Sequence, residues 1–89
     1  MSSVITRAKT VATSDGQIAI AKNRSYIGIQ NLNASNDVHI GLGSEPVTAL
    51  SGVRVGPGEF FELRAKNNSS EIRGISITGN VNIVFLEAN

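Results

Sequence analysis

From about residue 17 onward, apolar side chains recur at every second position in short bursts, and clusters of Gly, Asn, Ser and Pro separate the bursts. Residues 17–21 place Ile18 and Ile20 on one face, and 26–31 do the same with Ile27 and Ile29. In 37–42 the inward set is Val38, Ile40 and Leu42, which sends His39 and Gly41 to the opposite face. A short strand follows over Val53-Arg54-Val55, then one over 59–64 with Phe61 and Leu63 on one side and Phe60, Glu62 and Arg64 on the other. Residues 65–70 read as a polar loop. Over 72–78, Ile75 and Ile77 are expected to face inward, with Gly74 as a bulge that resets Ile72. Ser14-Asp15-Gly16, residues 33–36 and Gly56-Pro57-Gly58 are turns, and Gly79-Asn80 reads as a two-residue hairpin connection. With the N-terminal segment this makes roughly eight short strands at near-regular spacing and no helical period. The expected fold is all-β: a small antiparallel β-sandwich or a jelly-roll-like barrel.

Two segments depart from plain alternation. Residues 81–87 carry large apolar groups on both faces, because Val84 and Leu86 oppose Ile83 and Phe85. A strand covered on one side only has no use for this pattern. Either it is central and overlaid, or Val84 and Leu86 meet another subunit. Residues 1–14 are β-prone but poor in large apolar side chains, so they form either an extended arm or an edge strand ahead of a sandwich over 15–89. An arm carrying Val4, Ile5, Arg7, Lys9 and Val11 is suited to adding a strand to a neighbour, and its removal (residues 1–12) is then expected to leave the β fold intact. Between 43 and 52 the chain has no period, and Pro46 argues against a central strand there. Pro46, Val47 and Leu50 on that irregular stretch are candidate contact residues.

Size sharpens the picture. A chain of 89 residues is one domain, and such a domain buries only roughly 60–65% of the surface of its unfolded chain. There is no Cys, and His39 is the single His, so neither disulfides nor the usual structural zinc set stabilise it. Assembly is the remaining common stabiliser. Eight Lys and Arg against seven Asp and Glu give a net charge of +1, scattered singly. No basic run tracks a phosphate backbone, and Phe60-Phe61 is bracketed by Glu59 and Glu62, the wrong sign for a base-stacking platform. Nucleic acid is not an expected partner. No apolar stretch approaches the roughly 20 residues of a membrane span, and no signal-peptide apolar region follows Met1. The expectation is a protein made in a cytoplasm and kept in solution.

The sequence carries no complete catalytic pattern. A His39-centred serine site lacks a Gly-x-Ser-x-Gly elbow, and a mid-strand His on the outer face is expected to look toward solvent or a neighbouring subunit. Glu59 and Glu62, three apart in a strand, diverge to opposite faces, so they do not pair for glycoside hydrolysis. Asp15 and Asp37 are isolated, which offers no calcium loop. The glycines of 41–58 lack the spacing and lysine of a phosphate loop. The Asn-x-Ser triplets at Asn33, Asn67 and Asn68 are chance matches in polar turns. The expectation is no enzyme, no cofactor and no metal.

The run Ile29-Gln30-Asn31, a short polar turn and then Val38-His39-Ile40-Gly41-Leu42-Gly43 resembles a recurring pattern of small bacteriophage virion proteins. The likeness continues through the Pro-Gly turn before an aromatic strand (56–61) and the closing strand 81–87. It covers about residues 24–87 and leaves 1–23 outside. That family serves as capsid cement or decoration proteins, head-fibre pieces and tail-appendage modules. The resemblance implies a virion structural protein. The favoured role is a decoration protein on the outer shell, bound to the major capsid protein and assembled as a homo-oligomer, favoured as a trimer. The alternative is a tail or head-fibre module that binds a receptor or glycan.

Overall fold

The computed structural model describes the backbone of residues 4–68 and 70–88. Eight strands follow in order: β1 (Val4–Val11), β2 (Gly16–Ala19), β3 (Arg24–Asn31), β4 (Val38–Leu42), β5 (Val53–Val55), β6 (Phe60–Asn68), β7 (Ile72–Ser76) and β8 (Val81–Ala88). They form two four-stranded sheets with strand orders β1-β8-β3-β6 and β2-β7-β4-β5, and every pairing is antiparallel. Apart from the β4–β5 connection, each link carries the chain from one sheet to the other, which is jelly-roll winding. The expected all-β sandwich is therefore the fold.

Most of the core is where the alternation put it, but Leu42, expected to face inward at the end of β4, is 48% exposed. Ile27, Ile29, Val81, Ile83 and Phe85 from the first sheet meet Val38, Ile40, Val55 and Ile72 from the second, and Phe61 and Leu63 close one side. These side chains are β-branched or aromatic, the residues that fill a pleated, half-buried surface well. Asn31 is buried among them with its hydrogen bonds made. Its Nδ2 donates to the carbonyls of Asn36 (2.8 Å) and Val55 (3.0 Å), and its Oδ1 accepts from the Asn33 N–H (2.8 Å).

Several local expectations are corrected. Gly79-Asn80 closes no hairpin, because β7 and β8 belong to different sheets; Gly79, at φ +86°, turns the crossing between them. Gly74 is no bulge: β7 pairs with β4 without a register break, so Ile72, Gly74 and Ser76 face inward and Ile77 lies exposed beyond the strand. The missing side chain leaves room for Ile18, whose Cδ1 would lie 2.6 Å from a Cβ at Gly74. The irregularity sits instead in β2, between Gln17 and Ala19, so Ile18 and Ala19 are both buried and Ile20 is exposed. Residues 65–68 continue β6 rather than forming a loop, since β3 supplies a pairing partner as far as Arg24↔Asn68. Asn33 spends its side-chain oxygen on the Ser35 and Asn36 amides, which closes the turn before β4. Ser69 lies outside the described residues.

Residues 4–11 form an edge strand. β1 pairs with β8 along its whole length, from Val4↔Ala88 to Val11↔Val81, and Val11 is part of the core. Removing residues 1–12 would therefore take a wall from the sandwich, contrary to the expectation that the fold is indifferent to it.

Candidate functional site

The outer face of the β1-β8-β3-β6 sheet carries the two-sided strand. β8 is central in its sheet, and no described element covers its outer side. Register sets Leu86 between Thr6 and Gly28, and Val84 between Ala8 and Gln30, so both are half-buried by lateral neighbours alone. Gly28 has a reason to be glycine. A Cβ there would lie 2.7 Å from Phe60 Cζ and 2.9 Å from the Tyr26 hydroxyl, so the two rings lean over the bare backbone. Tyr26 donates to Glu62 Oε2 (2.9 Å), and Arg64 sits 5.7 Å above its ring while pairing with the same carboxylate at 3.3 Å. The hydrogen bond to Glu62 pushes the Tyr26 hydroxyl up, and the same bond, with that from Arg64, holds the Glu62 carboxyl low. The result is an aliphatic and aromatic stripe with a polar border on the β6 side.

One end of the sandwich holds a charge cluster that strand patterning did not reveal. Arg24 and Glu87 point between the sheets and are 1% and 2% exposed. Arg24 Nε donates to Glu87 Oε2 (3.0 Å), and its two terminal nitrogens donate to the carbonyls of Ser70 (2.7 Å) and Ile20 (2.6 Å). Lys22 (3.1 Å) and Arg7 (3.4 Å) share the other carboxylate oxygen. Burial pushes the Glu87 carboxyl up, but the hydrogen bonds and charges of Lys22 and Arg24 outweigh it and leave the group below its usual range. The cluster ties β1, β3, β8 and two connections together. Glu87 alternates with Val81, Ile83 and Phe85, and that inward position was its only sequence signal.

The structure places the predicted contact residues in three locations. Ile5, Arg7 and Lys9 are exposed along the edge strand, whereas Val11 is buried and the Val4 side chain lies outside what the structure describes. Val84 and Leu86 lie together on the outer sheet face. Pro46 and Leu50 are exposed, Leu50 at 99%, on the tip of the 43–52 segment. Val47 is not: it is 4% exposed and packs against Gly41 on the outer face of β4. His39 is corrected as well. It faces outward, but residues 43–52 fold back over it and leave it only 8% exposed. Among the described residues no group of three or more His, Cys, Asp or Glu is placed to hold a metal ion, and no acid is bonded to His39.

Fold and surface together define a compact jelly roll, also called a double-stranded β-helix. Similar solved structures include a de novo designed double-stranded β-helix (TM-score 0.61, 11% identity), with 96% of this chain and 99% of that one covered. A cupin-2 domain protein from Shewanella frigidimarina has a TM-score of 0.61 and 8% identity, covering 97% of this chain and 71% of that one. The iron(II) form of HppE in complex with substrate has a TM-score of 0.64 and 10% identity; the match covers 94% of this chain but only 45% of HppE. At such identities the likeness is one of fold. No protein-family model matches the chain, and no curated protein matches it.

Proposed function

We propose that this chain is a non-enzymatic structural protein of a bacteriophage virion, a cement or decoration protein that binds the outer shell and stabilises it. The observation that carries the reading is Leu50. Its side chain is fully exposed at the apex of a turn closed by its own hydrogen bonds, Ser51 and Gly52 N–H to the Thr48 carbonyl and Thr48 N–H to Ser51 Oγ. A leucine held in water by a built turn is preorganised for contact with a partner surface. The strand pattern shared with small virion proteins supplies the partner class, the major capsid protein or another virion component. The half-exposed Val84, Leu86 and Phe60 and the basic edge of Arg7 and Lys9 offer further contacts. A modest single contact suffices, since a shell repeats it many times and a symmetric homo-oligomer, a trimer at a local three-fold, multiplies it again.

Electron microscopy of the particles with and without this chain tests the proposal. Density distributed over the whole shell and lost with the chain is the expected result. Density confined to a tail or fibre would replace decoration by an appendage role, and absence from the particle would overturn the virion reading.

A further inference from the structure

Residues 43–52 leave the end of β4, double back over the outer face of that strand and rejoin the sheet at β5. Val47 is the plug of this cover: a Cβ at Gly52 would lie 2.7 Å from Val47 Cγ1 and 2.9 Å from His39 Cβ, and a Cβ at Gly41 would collide with Val47 Cγ2. Beneath it His39 is 8% exposed, and its Nδ1 is the one buried side-chain polar atom among the described residues without a hydrogen-bond partner. Closing the cover over a partnerless nitrogen costs what water would otherwise supply.

The cover is also thinly tied. Its root is fixed by Gly43 N–H to the Glu71 carbonyl (2.8 Å), and its tip is closed by the Thr48–Ser51 turn. Between them, among the described residues, 44–52 make one hydrogen bond to the rest of the fold: Val47 N–H to Asp15 Oδ1, 2.9 Å. Asp15 is itself gripped by Arg73, which also holds Glu71.

We propose that residues 44–52 are a strap with two states. It is closed here; when open, Val47 leaves Gly41, His39 Nδ1 reaches water, and both sheets stay paired. Asp15 is the pin, Val47 the plug, and His39 works against closure. Segments with one apolar anchor and one hydrogen bond belong to the low-stability end of a fold and open before the core does. Because the strap carries Leu50, its closed state fixes where that leucine is presented. The device rests only on contacts within the chain, so it stands or falls independently of any role in a virion.

Native-state hydrogen exchange on the full chain tests it, comparing the Val47 amide with the Ile83 amide in the core. The expected result is that Val47 exchanges through a local opening at least about 100-fold faster than Ile83. Asp15→Asn is expected to speed Val47 further relative to Ile83. His39→Leu removes the orphaned nitrogen and is expected to slow Val47 by about ten-fold. His39→Leu retains the pin and the strap, so it gives a reading even where Asp15→Asn weakens the whole fold. Exchange of Val47 only in step with Ile83 in all three proteins, or faster Val47 exchange in His39→Leu, would overturn the proposal.

Discussion

At the scale of single residues, two polar side chains inside an aliphatic sandwich have the largest consequences. Glu87 neutralises Arg24 where no water reaches, and removing one partner of a buried pair costs more than the pair itself contributes. Glu87→Gln is expected to lower unfolding stability by about 3 kcal/mol, measured by urea denaturation. The sign with pH follows from the lowered folded-state pKa of Glu87. Its contribution is complete above the unfolded glutamate value of about 4.3 and is lost as pH falls through the folded value. The thermal midpoint is therefore expected to hold from pH 7 to about 5 and to drop below that. In Glu87→Gln the acid slope becomes shallower but does not vanish, because Arg73 holds the Asp15 carboxyl low and Arg54 does the same for Asp37. Asn31→Ala, which takes one hydrogen bond each from the Asn36 and Val55 carbonyls and the Asn33 amide, is expected to cost about 2 kcal/mol in the same assay. Neither role was readable from sequence. Arg24 and Glu87 lie 63 positions apart, and an inward polar residue in an alternating strand looks like noise until its partner is known.

At the scale of elements, most strand spans were legible, the end of β6 excepted, and their neighbours were not. Alternation reports which face a residue takes, and it located the inward sets of β3, β6 and β8, but in β4 only Val38 and Ile40, since Leu42 is exposed. It says nothing about which strand lies alongside. Sequence-adjacent strands here mostly occupy opposite sheets, so Gly79-Asn80, a good hairpin dipeptide, joins two strands that never pair. The fold-back of 43–52 was equally hidden: Val47 looks exposed in an aperiodic stretch and is buried only because Gly41 and Gly52 leave room for it. β1 gains its order from β8, and its Arg7 and Lys9 give a charged edge that resists unwanted strand pairing. A chain lacking residues 1–12 loses Val11, the Arg7–Glu87 pair and one neighbour of the central strand. It is expected to show a clearly lower thermal midpoint, with weakened strand signal in circular dichroism at 37 °C; an unchanged midpoint would mean β1 contributes no packing.

At the scale of the whole molecule, the jelly roll covers its own core and leaves Leu50, Val84 and Leu86 at least partly outside it. Val84 and Leu86 are half-buried by their lateral neighbours only, so the double variant Val84→Thr, Leu86→Thr, which keeps strand-forming residues, is expected to stay folded while the proposed binding to particles weakens. The architecture was legible from length and periodicity. Which apolar side chains stay exposed was legible only in part, since exposure is a property of the assembled sheets and not of any single strand. The most direct measurement of the proposed role is co-sedimentation of the purified chain with phage heads prepared without it. The account predicts saturable binding at a fixed ratio to the major capsid protein, reduced by Leu50→Asp. No binding to heads, together with no copies of the chain in intact particles, would contradict it.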